Sequence, residues 1–391
     1  MITKLILLYS FTQAGDTSHI KALEKQLTSD IKFEKIVTFN ADLQKDKLLK
    51  EFENFNKLEH ESTKNDIHHL VLTAGEKGGE ALEIIANNNY LTDKSYVYWG
   101  THQFIAKIKN YKNLKLDHLQ IPASAIDNSE KEDIIKNIAN VTKTLTVPNI
   151  NPSIQELKES YDKWEKHPLI NIEKKYITVL LPGDAPDPTN KMQYFTKESA
   201  LKLFQHLHKI WINDSIKRTV ILQNGPRTGK YDPATGAIVC AHEYKTGEAA
   251  EKAIDKISLY FSSLLAQEKI PFFFKNFSFE LNAGQRKKHS AFEPILYLAY
   301  KTQSTFIFPG ESVSLIGQLP LYLEPQNVIA FYSSSMNQEH KLALEEAFKR
   351  GHLSKFDDVG NIILPKQPHK LECDDTAQVA SDILKGYRKK F

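Results

Sequence analysis

Cysteine is scarce in this chain of 391 residues, which has only Cys240 and Cys373. Neither has a second Cys or a His at the spacing of a zinc site, so disulfide frameworks and zinc sites are excluded, and a reducing compartment fits. Long apolar runs are missing as well. The run within MITKLILLYS is too short for a signal peptide or a membrane-spanning helix. We therefore expect a soluble, cytoplasmic protein without a transmembrane segment, and delivery into a host cell without a cleaved signal stays open.

An excess of charge of either sign is also absent. Lys and Arg number 51 and Asp and Glu number 48, which leaves a formal net charge of +3. The protein therefore has no net electrostatic field strong enough to attract nucleic acid or an anionic membrane, and we expect no nucleic-acid partner. The lysines are interspersed with acidic residues in the way that is typical of solvated helix faces.

Several catalytic motifs are missing too. The sequence has no pair of carboxylates at a recognisable spacing, no DxD-like element that would hold a diphosphate through a metal, and no GxSxG nucleophile turn. A P-loop has four residues between its two glycines and a Ser or Thr after its lysine. In QNGPRTGK only three residues separate the glycines, and Lys230 is followed by Tyr. We therefore expect no metal site, and any catalysis should be independent of a metal.

Short apolar runs alternate with helical patterns through most of the chain. The length suggests about two domains at ~100–200 residues each. In the first half the runs are Leu5–Tyr9, Phe33–Phe39, HHLVLTAG, SYVYW and LDHLQIP; in the second half they are KYITVLL, RTVILQ, PFFFKNF and STFIFP. Buried strands separated by helices predict a parallel sheet that is covered on both faces.

A stretch rich in Pro and Asn interrupts this alternation after residue 146 and is followed by an isolated polar helix. We predict an N-terminal Rossmann-like acceptor or partner domain at 1–150, a linker at 151–172 and a nucleotide-binding Rossmann-like domain at 173–374. A C-terminal helix at 375–391 would cross back to the first domain. The predicted fold class is α/β, with two doubly wound domains facing a cleft, which is the GT-B architecture.

The stretch TFIFPGESVSLIGQ, at 305–318, carries the most chemical information. A strand-like run breaks at Pro309-Gly310, and Glu311, Ser312 and Ser314 then open a helix. The first free N–H groups and the positive end of the helix dipole favour a phosphate there. Serines that only cap the helix are the alternative.

Two other loops of the second half follow apolar strands. In LPGDAPDPTNKM, Gly183 would let the backbone approach a ligand, and Asp184 can orient hydroxyl groups. In QNGPRTGK, Asn224, Arg227 and Thr228 are candidates for phosphate contacts, because the planar fork of an arginine suits a phosphate. Ordinary surface turns are the alternative for both loops.

The first half offers a smaller set of candidates. GDTSHI follows the first strand and contains Gly15 and Asp16, which we place on the acceptor side, and His19, which is our candidate acid or base. His102 follows the fourth strand and is a third acceptor-side candidate. A capping or surface role is the alternative for each histidine.

The order of LLPGD, ILQNGPRT, NAGQRKKHSAFEPILYLAY and FIFPGESVSLIGQ resembles the mitochondrial fission protein family first described from plants with elongated mitochondria. That family is similar to GT-B glycosyltransferases. Arg227 and Thr228 match the Arg-Thr of its second turn, and the residues that match its last turn are Ser312, Val313 and Ser314.

The chain departs from the family pattern around the same turn. Glu311 replaces an Asp, Leu315 a Met and Gln318 a Glu. A carboxylate in this helix commonly holds the nucleotide ribose in GT-B enzymes, whereas Gln318 can make only a neutral hydrogen bond. The resemblance therefore implies a divergent donor or a site without turnover.

Two functions follow as hypotheses. The first is a metal-independent glycosyltransferase that uses a nucleotide-sugar donor as substrate, an unknown acceptor and no separate cofactor. Its diphosphate would be bound by Arg227, Thr228, Ser312 and Ser314. Gln318 would lie beside the nucleotide. The second, implied by the resemblance, is a non-catalytic adaptor on the same fold with a protein partner such as a dynamin-type GTPase. A nucleotide-sugar epimerase of the GT-B type is a third.

Overall fold

The computed structural model describes most of the chain. The described residues are 2–11, 14–62, 67–101, 114, 116–122, 138–145, 147–164, 168–187, 191–237, 254–282 and 285–391. His102 lies outside them. The chain separates into two compact units, Met1–Ile150 with Cys373–Phe391, and Asn151–Glu372. None of the described helices is both long and apolar enough to cross a membrane.

A parallel six-stranded sheet forms the centre of the first unit. Its strands are β1 (Ile2–Tyr9), β2 (Lys35–Asn40), β3 (Ile67–Ala74), β4 (Ser95–Gly100), β5 (His118–Pro122) and β6 (Asn140–Thr144). The spatial order is β2-β1-β3-β4-β5-β6. Because the chain moves in opposite directions from β1 to reach β2 and β3, the carboxyl ends of β1 and β3 form the switch point at which such sheets bind ligands.

Helices α1 (Ala14–Asp30), α2 (Lys45–Ser62) and α3 (Gly75–Asn87) follow the first three strands. Side chains alternate between the faces of a strand. Leu5 and Leu7 of β1 accordingly belong to a different apolar cluster from Ile6 and Leu8. The sheet therefore has a buried core on each face.

The second unit contains the remaining strands. They are β7 (Tyr176–Leu180), β8 (Ala185–Pro186), β9 (Met192–Gln193), β10 (Thr219–Gln223), β11 (Phe272–Lys275), β12 (Ser278–Asn282), β13 (Gln285–His289), β14 (Thr305–Pro309), β15 (Val328–Phe331), β16 (Ser354–Phe356) and β17 (Ile362–Ile363). The main sheet has the order β11-β10-β7-β14-β15-β16-β17 and is parallel except for β17. Counted from β7, its parallel strands run 3-2-1-4-5-6, which is the Rossmann order with a switch point between β7 and β14.

The helices of this unit within the described residues are α4 (Ile154–Lys163), α5 (Lys197–Asn213), α6 (Lys256–Gln267), α7 (Phe292–Thr302), α8 (Val313–Tyr322) and α9 (Gln338–Lys349). Helices α5 and α6 pack on one face through Leu203 and Phe261. Helix α7 lies on the other face, where the ring centroid of Phe292 is 6.4 Å from that of Phe306. The predicted α/β fold with two Rossmann-like doubly wound domains is confirmed.

Helix α4 is part of the second unit rather than an isolated linker helix. Leu157 and Tyr161 are buried, and the ring of Tyr161 lies 5.4 Å from that of Tyr297 on α7. Ser153 and Glu156 form a capping box that fixes the start of the helix. These contacts extend the unit to the amino-terminal side of β7.

Helix α10 (Thr376–Lys390) packs in the first unit, although it is the last element in the chain. Val379, Ile383 and Tyr387 belong to the same apolar cluster as Leu5 and Leu7. Polar contacts along the helix fix its position. At its start, Asp375 accepts from the backbone N–H of Leu145 at 2.7 Å, and in its middle Asp382 accepts from the Thr142 hydroxyl at 3.0 Å. At its end, Lys390 pairs with Asp117 at 2.7 Å.

Candidate functional site

Three loops of the second unit meet at the carboxyl ends of β7, β10 and β14. They are 181–184, 224–230 and 310–314, and they surround the switch point of the sheet. Backbone contacts join them: the N–H of Leu181 donates to the carbonyl of Gln223 at 2.8 Å, and the N–H of Asp184 donates to the carbonyl of Arg227 at 3.1 Å. The structure thus brings the predicted phosphate-binding residues into one area.

Glu311 lies at the centre of this area and is almost fully buried. One carboxylate oxygen accepts from the N–H of Gly183 at 2.7 Å, and the other accepts from the Ser333 hydroxyl at 3.0 Å. Burial raises the pKa of Glu311, against the opposing effects of these donors and of the nearby Arg227. Glu311 therefore joins the loop after β7 to the loop after β15.

Asp184 has a similar internal position. Its carboxylate accepts from the N–H of Phe195 at 2.8 Å and from the N–H of Tyr231 at 3.1 Å. Burial is the main cause that raises the pKa of Asp184, and the two N–H donors oppose it. Both oxygens are thus engaged in holding the loops after β7 and β10 together.

Asn224 and Thr228 also direct their polar groups inward. The amide of Asn224 donates to Asp255 at 2.9 Å and to Asn276 at 2.8 Å. The Thr228 hydroxyl oxygen accepts from the N–H of Gly225 at 2.8 Å, and the hydroxyl lies 3.4 Å from the carbonyl of Leu181. These side chains shape the loop that carries Arg227.

Arg227 is the exposed member of this loop. Its guanidinium makes no hydrogen bond or ion pair within the described residues, although its charge lowers the pKa of both Asp184 and Glu311. A Cβ atom added to Gly183 would lie 3.0 Å from the Cβ of Arg227. The absence of a side chain at Gly183 therefore lets the two loops approach closely and places a free cation at the switch point.

The N-terminus of α8 faces the same edge of the sheet. Ser312 is the N-cap residue, but its side chain does not cap the helix. The hydroxyl oxygens of Ser312 and Ser314 are 3.4 Å apart, and Ser314 is exposed. The first N–H groups of a helix lack partners within the helix, and the macrodipole gives this end a partial positive charge. Uncapped N–H groups and two hydroxyls thus lie together at this end of α8, where donors and a partial positive charge coincide.

Gln318 is buried one turn after Ser314 and on the same face of α8, since residues four apart are neighbours on a helix surface. It offers an amide rather than a carboxylate next to the N-terminal end of α8. No group of His, Cys, Asp and Glu side chains among the described residues has the geometry to hold a metal ion.

The first-unit candidates lie at the edge and in the interior of the first sheet. His19 is only 2% exposed, and its Nε2 lies 2.8 Å from the hydroxyl of Tyr98. Burial raises the pKa of Tyr98 well above its ordinary value. Asp16 is buried in the first turn of α1, whereas Gly15 is exposed. His19 is therefore enclosed by its own unit.

Ser333 was not predicted as part of the site. It follows β15 in the run IAFYSSSM, where an apolar strand breaks into small hydroxyl residues. That is the same signal that located Ser312 and Ser314. Its hydroxyl contacts Glu311 and lies 2.8 Å from that of Ser335.

No protein-family model and no curated protein matches the chain. Among solved structures, the chain is similar to the N-terminal domain of trehalose-6-phosphate phosphatase from Candida albicans, with 6% identity over 100% of this chain and 93% of that chain and a TM-score of 0.41. It is also similar to UDP-GlcNAc 2-epimerase from Neisseria meningitidis bound to UDP-GlcNAc, with 10% identity over 99% and 100% of the two chains and a TM-score of 0.41. A third is an alpha,alpha-trehalose-phosphate synthase (UDP-forming) from Burkholderia xenovorans in complex with glucose-6-phosphate, with 8% identity over 99% and 96% and a TM-score of 0.40.

Proposed function

We propose that the protein is a GT-B-like, metal-independent glycosyltransferase that uses a nucleotide-sugar donor, bound at the carboxyl ends of β7, β10 and β14. One observation carries the proposal: the uncapped N-terminus of α8 lies at the switch point of a Rossmann-ordered sheet, together with the exposed Arg227, whose guanidinium has no hydrogen bond or ion pair in the part of the chain that the structure describes. Strand ends at a switch point are the usual ligand site of such sheets.

In this proposal the diphosphate of the donor is held without a metal. The guanidinium of Arg227 would make paired hydrogen bonds to phosphate oxygens, and the helix N-terminus with Ser312 and Ser314 would receive the remaining charge. The negative charge that develops on the leaving nucleotide when the glycosidic bond breaks would then be stabilised by donors already in position. Gln318 would hydrogen-bond the ribose as a neutral group.

The other predicted residues take supporting roles in the proposal. Gly183, Asp184, Asn224, Thr228 and Glu311 would shape the loops, because their polar groups are engaged in internal hydrogen bonds or backbone contacts. Phosphate binding by a buried carboxylate such as Glu311 would bring two negative charges together, which is unfavourable.

A non-catalytic adaptor, as in the mitochondrial fission family, is the second candidate function. The burial of His19 favours it, since the proposed acid or base is 2% exposed and bonded to Tyr98. An adaptor needs neither an accessible base nor a carboxylate in place of Gln318.

Thermal denaturation with a panel of nucleoside diphosphates, monophosphates and nucleotide sugars tests the proposal. A ligand at ~100 times its Kd stabilises the folded state by about 2.7 kcal/mol and should raise Tm by a few degrees. Arg227→Ala should abolish the shift, and Arg227→Lys should restore little of it, because an ammonium group cannot reproduce the planar fork. Arg350→Ala is the matched control, since Arg350 is an exposed arginine that pairs with Glu346 at the end of α9.

A shift with one nucleotide class that Arg227→Ala abolishes and Arg350→Ala retains would support the donor site. Release of free nucleotide from the bound donor, on addition of an acceptor mixture, would then separate the transferase from the adaptor. The absence of any shift across the panel would reject the donor site and leave the adaptor function to be tested by partner capture.

A further inference from the structure

Strand β17 is an edge of the main sheet in the second unit, and no described strand pairs with its outer side. Four apolar side chains on and beside it are open to solvent, with exposed fractions of 68% for Val359, 39% for Ile362, 38% for Ile363 and 53% for Leu364. The opposite edge strand, β11, is covered in part, since the ring of Phe273 lies 6.0 Å from that of Trp164. An open apolar edge is a template for pairing with a further strand.

The backbone of β17 directs hydrogen-bonding groups to this open side. Across the turn that precedes the strand, the N–H of Asp357 donates to the carbonyl of Asn361 at 2.9 Å. Hydrogen-bonded and non-bonded pairs alternate along an antiparallel ladder, and the next pair is Phe356 with Ile362. The N–H and C=O groups of Ile362 therefore point away from β16, whereas those of Ile363 point toward it. A strand added on the outer side would satisfy the groups of Ile362.

Opposite charges stand at the two ends of this edge. Asp358 lies in the turn before β17, where its side chain is fully exposed and its carboxylate is 4.0 Å from the Lys202 ammonium group. Lys366 follows the strand, is exposed, and makes no hydrogen bond or ion pair with the described part of the chain. An edge with one negative and one positive end is complementary to a copy of itself that runs in the opposite direction.

Two cavities adjoin the same edge. One has a volume of about 300 Å³, and Ile363 and Phe356 are among its lining residues. The other has a volume of about 380 Å³ and is lined in part by Val359 and by Leu201 of α5. They leave room for the apolar side chains that a second chain brings beside β17.

We propose that β17 is a self-association surface, on which a second copy of this chain adds its own β17 in antiparallel orientation about a two-fold axis. The outward N–H and C=O groups of Ile362 then pair between the copies, as in other strand additions to a sheet edge. The turn of each copy lies beside the strand end of the other, so that Asp358 of each approaches Lys366 of the other. The surface is separate from the strand ends of β7, β10 and β14, and the proposal does not rest on a nucleotide site.

Sedimentation velocity of the full-length protein over a range of about 1–300 µM, which spans the Kd of a weak dimer, tests the surface. We expect a Kd of roughly 10–100 µM, because Pro365 ends the strand after a few residues. Leu364→Lys should weaken the dimer by ~10-fold or more, since it places a charge in an apolar contact of each copy. Ile216→Lys is the matched control. It alters an exposed apolar residue between α5 and β10 and should leave the Kd unchanged.

Charge exchange tests the antiparallel orientation. Asp358→Lys and Lys366→Asp should each weaken the dimer by ~5-fold or more, because each variant places like charges at both contacts between the copies. An equimolar mixture of the two single variants should form a heterodimer with an affinity close to the original one, since its two contacts again join opposite charges. The double variant should dimerise like the unmodified protein for the same reason.

Residue-resolved hydrogen exchange provides a readout that does not depend on the variants. Raising the protein concentration through the Kd should slow exchange at the amide of Ile362 and leave that of Ile363 unchanged, because only the amide of Ile362 points outward.

A protein that stays monomeric over the whole range would overturn the proposal and leave this edge to a segment of a different protein. A dimer that Leu364→Lys weakens no more than Ile216→Lys does would also overturn it, as would charge variants whose dimer is not restored by mixing or unchanged exchange at Ile362. None of these results bears on nucleotide binding, which Arg227→Ala tests separately.

Discussion

Glu311 shows how a single residue can organise a loop cluster without being available to a ligand. It is buried and accepts one hydrogen bond from Gly183 and one from Ser333. A glutamine can replace only one of these two acceptors, because its amide nitrogen is a donor. We therefore expect Glu311→Gln to lower the free energy of unfolding by about 1–3 kcal/mol, measured by urea denaturation.

Ser333→Ala provides the companion variant. It removes the hydroxyl that contacts the second carboxylate oxygen of Glu311, so both single variants break the same hydrogen bond and the double variant should cost less than their sum. Strict additivity would mean that the bridge through Glu311 contributes nothing as a unit.

Asp16 should make stability depend on pH. Its pKa is raised from an ordinary value of 3.8 to about 7 in the folded protein, because it is buried and faces Asp42 and Glu76. The folded state therefore retains a proton that the unfolded state releases, and stability falls as the pH rises from about 4 to 7. Each unit of pKa difference corresponds to ~1.4 kcal/mol. The shift of Asp16 therefore lowers the free energy of unfolding by at most about 4 kcal/mol over this pH range.

Asp16→Asn removes this titration. The variant should gain stability relative to the unmodified protein as the pH is raised through this range, in denaturation experiments at pH 4 to 8. Asp30→Asn, at the exposed end of the same helix, is measured alongside it as the control. A constant difference between Asp16→Asn and the unmodified protein would contradict the expectation.

The sequence located the loops of the candidate site better than it located their side chains. Apolar runs that break into polar turns marked Gly183, Arg227 and Ser312, because buried strands have a strong compositional signal. The sequence did not indicate that the side chain of Asn224 points into the protein. Its partners Asp255 and Asn276 are 31 and 52 residues further along the chain, and only tertiary structure brings them together.

Helix α10 shows at the level of elements that position in the chain does not decide where a helix packs. Its buried stripe completes the cluster on one face of the first sheet. Ile383→Ala should therefore cost about 2–5 kcal/mol, because it leaves a cavity in a closed core. Hydrogen exchange should show the loss of protection in β1 and β3, with no change in β7 and β14.

The matched control is Leu344→Ala in α9, which is equally buried in the second unit. It should reduce protection in the second unit and leave β1 unchanged. Loss of protection throughout both units from Ile383→Ala would show that the units unfold together, contrary to this expectation.

Some elements had too weak a signal to be predicted. Strand β6 has the sequence NVTKT, in which Val141 is the only apolar residue, and β16 has only three residues. Their strand structure depends on hydrogen bonds to the neighbouring β5 and β15 rather than on their own apolar content. The hairpin of β12 and β13 has no strand signal in the sequence either, because QRKKH lacks an alternating apolar pattern.

At the scale of the whole molecule, the repeated alternation of strand and helix was enough to predict two Rossmann-like units. It was not enough to give the strand orders, which differ between the units: 2-1-3-4-5-6 in the first and 3-2-1-4-5-6 in the second. Strand order depends on which side of β1 or β7 each crossover packs. That choice is made by contacts between distant residues and leaves no local pattern.

The packing of α10 also fixes an order of events during synthesis on the ribosome. About 225 residues separate the end of the first segment at Ile150 from the start of α10. At ~5–20 residues per second, the ribosome needs about 10–45 s to deliver them. The second unit is one continuous segment and emerges whole in that time. Helix α1 can cover its share of the apolar face of Leu5 and Leu7 early, through Ile20 and Leu23, but the share that α10 covers stays exposed until that helix has been synthesised. The nascent chain therefore presents a chaperone with a defined apolar surface during that interval.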